Sequence, residues 1–333
     1  MTEQTASVDP SNSPPQLDSV DDVIEALTTH QYIADRGLAT AIFLALKRNQ
    51  PLLLEGEPGV GKTEVARVLA DALKTRLIRL QCYEGIDQAT AVYEWNYARQ
   101  LLSIRMLEAR RGGEGDRAEE LDDVFGPQFL VRRPLLQALD ATYDRAPVLL
   151  IDELDRSDAE FEAYLLELLS DYTITIPEIG TMRAAQPPIV VLTSNRTRDI
   201  HDALRRRCLY YWIEYPSLEK EFAIVLARVP NAPRELARQV VMFVQDLRGE
   251  DLFKAPGVAE TLDWLSALIT LDQSELSPEA VRDTLGALLK YQDDIQKVHS
   301  GNLLNKLIEK VRGATHPRAG AGRLARHDHP AST

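Results

Sequence analysis

Only two cysteines occur among the 333 residues. Cys82 and Cys208 lie far apart in the chain, so no disulfide framework is encoded and a reducing compartment is expected. Long apolar runs are missing as well: Pro51–Leu54 and Val148–Ile151 fall far short of the ~20 residues that a membrane helix requires. The opening stretch MTEQTASVDPSNSPP holds neither a basic start nor an apolar segment, so no signal peptide is expected. Cationic excess is absent too, because 38 Lys and Arg face 51 Asp and Glu for a formal charge of −13. Non-specific duplex binding relies on cations that displace counterions from phosphates, and this balance argues against it. These absences leave the expectation of a soluble, cytoplasmic protein with no membrane insertion. Its length suits about two domains and a core that needs no covalent or metal staple.

Residues 1–17 are polar and rich in Pro and Ser, which predicts a disordered arm. Residues 314–333 scatter Gly, Ala and Pro among Arg and His and read as a disordered tail, in which His327 and His329 either bind a metal or are solvated residues, the second being the commoner case. Ser19 and Asp22 form a capping box that opens a helix to about His30. A second helix is predicted from Ile33 to Lys47. Five short apolar runs then alternate with helical patterns: Leu52–Leu54, Leu77–Leu80, Val148–Ile151, Ile189–Thr193 and Leu209–Ile213. Continuous Leu and β-branched runs between helices indicate parallel strands buried on both faces, and the alternation predicts an α/β domain over 18–215 with a parallel five-stranded sheet flanked by helices. Beyond Pro216 the spacing is helical throughout, over 217–229, 233–248, 258–269 and 278–290. Ser277-Pro278-Glu279 supplies a cap, a first-turn proline and a first-turn acid. An all-helical domain over 216–313 is therefore expected.

Gly56-Glu57-Pro58-Gly59-Val60-Gly61-Lys62-Thr63 fits G-x-x-x-x-G-K-[ST]. It follows a strand and opens the helix that begins at Glu64, which is the context a phosphate-binding loop needs. Glycines let the backbone wrap around phosphates, and successive N–H groups with the helix N-terminus supply positive partial charge. Lys62 is placed to reach the β- and γ-phosphates of ATP, and the Thr63 hydroxyl to ligate Mg²⁺. Val148–Ile151 runs into Asp152 and Glu153, carboxylates at the C-terminal edge of a parallel sheet where open α/β folds bind ligands. Asp152 is the expected partner of Mg²⁺ through water, and Glu153 the general base toward the attacking water. Asn195, at the end of another strand, either hydrogen-bonds the γ-phosphate or lytic water or simply caps a turn. Arg205-Arg206-Arg207 is either a solvated turn or a phosphate-sensing group, since guanidinium is permanently charged and bidentate toward phosphate.

This combination resembles the AAA+ ATPases, and within them the MoxR group. DELDR (152–156) is similar to that group's second Walker motif. The stretches LLLEGEPGVGKTEVA, RLIRLQCYEG, YEWNYARQLL, RRPLLQAL, FEAYLLELLSDYTITIPEIGT, LTSNRTRDIHDALRRRCLYYW and KAPGVAETLDW resemble its CoxD-like branch, over about residues 20–295. The resemblance implies sensor 1 at Asn195, an arginine finger at Arg207 and a helical lid. It also implies a hexameric homo-oligomeric ring, a partner carrying a von Willebrand factor A domain, and a chaperone role in maturing a molybdenum hydroxylase such as carbon monoxide dehydrogenase. A helix-2 insert about 84–129 and a hairpin about 172–183 fit the same group. Trp95 and Tyr97 in the insert either contact a client or pack on their own domain. The usual lid arginine has no counterpart in 255–264, and Lys254 is the nearest cation to stand in. The alternative function is a nucleic-acid motor or loader, with Arg196, Arg198 and Arg205–Arg207 as a basic patch; the net charge argues against it.

Overall fold

A computed structural model describes residues 17–110, 125–300 and 302–315 of the chain. The predicted arm and tail, His327, His329 and the central part of the insert lie largely or wholly outside the described residues. The chain divides into two compact units, at Tyr215 and Pro216.

In the first unit, α1 (Val20–Thr29) opens with the Ser19–Asp22 capping box. The next helix, α2 (Arg36–Arg48), starts three residues later than the Ile33 expectation because Asp35 is its cap, accepting the Leu38 N–H at 2.8 Å. Five parallel strands follow in the chain: β1 (Leu52–Gly56), β2 (Leu77–Gln81), β5 (Val148–Asp152), β8 (Ile189–Ser194) and β9 (Leu209–Ile213). They form one sheet in the order β2-β5-β8-β1-β9. Alternation along each strand sends neighbours to opposite faces. Leu52, Leu54, Val148, Leu150 and Val191 pack on one side, with α1, α2 and α3 (Lys62–Ala72). Leu53, Leu149, Ile151, Val190 and Leu192 pack on the other, with Phe161, Leu165 and Leu168 of a later helix (Ala159–Asp171). Both faces being covered is why these strands read as unbroken apolar runs.

The remaining pieces decorate this sheet. α4 (Gln88–Ala91), β3 (Tyr93–Trp95) and α5 (Tyr97–Arg110) come after β2, and β4 (Leu130–Arg132) pairs antiparallel with β3. Trp95 is buried and meets Phe125 edge-on with ring centroids 5.5 Å apart, whereas Tyr97 is exposed. α6 (Pro134–Ala138) precedes β5, and the helix Ala159–Asp171 is α7. β6 (Thr173–Ile176) and β7 (Gly180–Arg183) make an antiparallel hairpin before β8. α8 (Asp202–Arg205) leads into β9.

The second unit is helical: α9 (Leu218–Arg228), α10 (Arg234–Arg248), α11 (Val258–Thr270) and α12 (Pro278–Leu288) correspond to the predicted helices, and α13 (Gln292–His299) and α14 (Leu303–Thr315) add two that the sequence reading left unassigned. Its core centres on Trp264 and Phe243, with ring centroids 5.2 Å apart, and Trp264 Nε1 donates to Thr284 Oγ1 at 2.7 Å. Among the described residues no helix is long and apolar enough to cross a membrane.

Candidate active site

Parallel strands all point their C-terminal ends one way, so whatever follows β1, β5 and β8 gathers at a single edge. β8 lies between β1 and β5, with Leu54 opposite Thr193 and Ile151 opposite Leu192. The loop after β1 carries Glu57, Pro58, Gly59 and Val60, and Val60 is anchored in the core. Gly61 sits at φ +94 as the N-cap of α3, a conformation that costs a residue with a Cβ about 1–3 kcal/mol. A Cβ on Gly56 would lie 2.3 Å from the Ile213 carbonyl oxygen, so glycine alone lets β1 and β9 close at this point. Glu64, in the first turn of α3, pairs with Arg67 on the helix surface.

Lys62 is buried, and its Nζ donates to the carbonyls of Gly56 at 2.8 Å and Glu57 at 2.7 Å. Burial lowers its pKa to about 8, against the opposing pull of Asp155, Glu57, Asp152 and Glu153. The loop therefore curls around an ammonium that its own carbonyls hold in place, with α3 starting at that residue.

Asp152 ends β5 and is 2% exposed. Its Oδ1 accepts from Thr63 Oγ1 at 3.0 Å and from Thr193 Oγ1 at 2.6 Å. Its Oδ2 accepts from Arg79 Nε at 3.0 Å and Nη2 at 2.6 Å. Glu153 turns the chain through a left-handed conformation, φ +53, and its N–H donates to the same Thr193 hydroxyl at 2.9 Å. The Glu153 carboxylate meets Arg156 Nη1 at 3.0 Å. Thr193 thus joins both carboxylate residues: it donates to one and accepts from the backbone of the other.

Asn195 follows β8 at this same edge and is half-buried. The segment behind it is tied down by two acids. Asp155 accepts from Thr197 N at 2.9 Å and Thr197 Oγ1 at 2.7 Å, and buried Glu162 accepts from His201 N at 2.7 Å and from Arg198. The second oxygen of Asp155, Oδ1, is buried with no hydrogen-bond partner. Thr63, Asp152 and Glu153, with Lys62 beside them, are brought together as the sequence pattern predicts. Arg79, Thr193 and Asp155 are site residues that pattern did not single out.

The arginines separate by function of place. Arg205 Nη2 is bound at 2.6 Å to buried Glu55, which Tyr210 also reaches at 3.1 Å, so Arg205 is spent inside the fold. Arg206 is exposed. Arg207 precedes β9 at the N-terminal edge of the sheet, where its Nη1 touches the Leu166 carbonyl and Ser170 beside an open groove that also takes in Arg48 and Asn49. Leu52 pairs with Leu209 and Gly56 with Ile213, so the whole length of β9 separates Arg207 from the edge where the glycine loop lies. At about 3.3 Å per residue that is roughly 16 Å of strand. Arg207 does not meet its own chain's loop. Lys254 belongs to the second unit; its side chain is exposed and its N–H donates to Asp294 Oδ2 at 3.2 Å.

A hydroxyl and a carboxylate are hard oxygen donors of the kind Mg²⁺ takes, so Thr63 and Asp152 fit that cation. Among the described residues no three His, Cys, Asp or Glu side chains gather to hold a metal by themselves.

Comparison with known proteins places part of the chain beside a described family. Residues 51–208 match the family model described as AAA domain, dynein-related subfamily. That stretch, a little under half of the chain, is similar to an AAA domain and carries the sequence pattern of a P-loop. An uncharacterized Staphylococcus haemolyticus protein is 23% identical over 289 residues, 83% of this chain and 98% of that one. A second, from Staphylococcus epidermidis, is 23% identical over 267 residues, 77% and 91% of the two. Among solved structures, Thermotoga maritima RuvB, described as a Holliday junction branch migration motor, is 17% identical over 92% of this chain and 87% of its own, with a TM-score of 0.41. A Cytophaga hutchinsonii protein named only as a candidate ATPase is 14% identical over 88% and 93%, with a TM-score of 0.44. Likenesses this distant carry nothing about function.

Proposed function

We propose that the chain is a MoxR-type AAA+ ATPase that works as a head-to-tail ring and uses ATP to remodel a client protein. The observation that carries this reading is the Thr63–Asp152–Thr193–Glu153 linkage at one sheet edge, with Arg207 at the other. Lys62 and the loop N–H groups bind the phosphates. Thr63 and Asp152 hold Mg²⁺, which supplies charge compensation on the transferring phosphoryl group when bound. Glu153, its backbone pinned by Thr193, orients the attacking water and takes its proton. Asn195, which follows β8 at the same edge, serves as sensor 1 on the γ-phosphate side. Because Arg207 does not meet its own loop, it acts on a neighbour, and a contact of one edge with the opposite edge of the next copy is heterologous, which closes into a ring; a hexamer is the expectation that the resemblance supplies. The same resemblance supports a client among the molybdenum hydroxylases and a partner with a von Willebrand factor A domain. Lys254 is the lid cation proposed to sense nucleotide.

Mixing subunits tests the central part. Arg207→Ala and Glu153→Gln chains are each inactive on this reading, one lacking the finger and the other the base. Mixed assemblies regain part of the ATPase activity, because a Glu153→Gln chain lends its arginine to a neighbour with an intact base. Verified mixed assemblies with no recovered activity contradict the reading.

A further inference from the structure

The Asp152 carboxylate offers about four lone-pair directions, and four N–H or O–H donors fill them. Thr63 and Thr193 take Oδ1, while Arg79 takes Oδ2 twice, through Nε at 3.0 Å and Nη2 at 2.6 Å. The two oxygens differ in what they can still do when a cation arrives. A threonine hydroxyl can go on donating its proton to Oδ1 while its own oxygen lone pair faces a metal. A guanidinium has no lone pair to offer and carries a positive charge of its own. Water bound to a metal is a strong donor that needs an acceptor, and Oδ2 is the acceptor Arg79 holds. Mg²⁺ with its water shell and the Arg79 guanidinium therefore exclude one another at Oδ2.

The setting of Arg79 suits such an exchange. It stands on β2, an edge strand, with its side chain half-exposed while that of Asp152 is buried. Gln81, two residues along the same strand, already accepts from Nη2 and offers a second resting place for the guanidinium. We propose that Arg79 competes with Mg²⁺ for Asp152 and so sets the magnesium concentration at which nucleotide is bound in its hydrolysable form. This rests on the reading of residues 56–63 and Asp152 as the nucleotide site.

The test is the affinity of the full-length chain for the fluorescent nucleotide mant-ATP as Mg²⁺ is varied, with Glu153→Gln present throughout to prevent turnover. With Arg79→Gln added, the half-saturating Mg²⁺ falls about tenfold, toward the low end of ordinary coupling between two ligands. Arg79→Lys keeps the charge but loses the two-pronged contact, and its midpoint falls between the other two. A thermal melt of each variant checks folding, and Arg79→Lys carries the test alone if Arg79→Gln does not fold. Midpoints equal to that of the unsubstituted arginine, in variants whose melting temperature alone has moved, would mean that Arg79 merely neutralises a buried acid and would overturn the proposal. Equal midpoints with mant-ATP bound normally leave the nucleotide-site reading intact. Absence of mant-ATP binding with Arg79 in place, at every Mg²⁺ concentration, overturns both.

Discussion

Replacing Thr193 by Val keeps the shape and branching that suit β8 and removes one hydroxyl. That hydroxyl, on a residue 1% exposed, donates to Asp152 Oδ1 at 2.6 Å and accepts the Glu153 N–H at 2.9 Å. Without it, the Glu153 N–H loses its partner at a part-buried position, at a cost of about 1–3 kcal/mol. Asp152 loses one charge-assisted donor but keeps Thr63 and the two Arg79 contacts, so the combined loss is about 2–4 kcal/mol. For a unit of this size that lowers the melting temperature by roughly 5–15 °C. The effect on function is more specific. Glu153 sits at φ +53, a strained conformation, with its N–H held by this contact and its carbonyl accepting from the Arg156 N–H at 2.9 Å. Released, the carboxylate no longer stays aligned with the attacking water, and a displacement near 1 Å can cost about a hundredfold in rate. The glycine loop at residues 56–61 is untouched by the change. Thr193→Val therefore lowers kcat ten- to about a hundredfold while mant-ATP affinity stays within about twofold. The assay is steady-state ATP hydrolysis beside equilibrium binding, both below the lowered melting temperature. Loss of binding and turnover in equal measure, or no loss of either, refutes the linkage through Thr193.

Two further outcomes follow from the site and from the reading of it. Lys62, with its pKa lowered to about 8 by burial, must be charged to hold phosphate, so binding takes up a proton above that pH. Affinity for ATP is level below pH 8 and falls toward tenfold per pH unit above it, while Cys82 and Cys208, pushed up to about 12, keep their protons; an affinity that stays level to pH 9.5 contradicts the assignment. On the proposed choice of client, a strain lacking the gene makes a target molybdenum hydroxylase that is folded but short of a functional metal centre, and a Lys62→Ala copy does not restore it. Normal maturation of every such enzyme in that strain removes the client and keeps the ATPase.

Much of the sheet was legible because its strands are covered on both faces. Leu52–Leu54 and Val148–Ile151 have no solvent-facing side to interrupt them, and each ends where its chemistry begins. The glycine loop was legible for a different reason: Gly56 and Gly61 occupy positions that close approach and a left-handed turn reserve for glycine. Arg79 was hidden by its own alternation. On an edge strand an arginine between Ile78 and Leu80 reads as a residue facing water, and only the pairing of β2 with β5, Gln81 opposite Asp152, brings it to the carboxylate. In sequence Thr193 is one more β-branched strand residue, and its double hydrogen bond depends on β8 lying between β1 and β5. The late start of α2 was visible in Asp35 as a cap, but Ile33 extended the apolar spacing past it. α14 had its signal in Leu304, Leu307, Ile308 and Val311, all buried.

The most direct test of the central claim is to measure ATP binding and ATP hydrolysis side by side in the full-length chain and in its Lys62→Ala and Glu153→Gln variants. On the proposed reading, Lys62 touches phosphate in the ground state, whereas Glu153 acts on the water. Lys62→Ala should therefore lose binding, and Glu153→Gln should bind ATP with nearly unchanged affinity and turn over at under about a hundredth of the normal rate. Hydrolysis by Glu153→Gln at the rate of the unsubstituted chain would contradict the account.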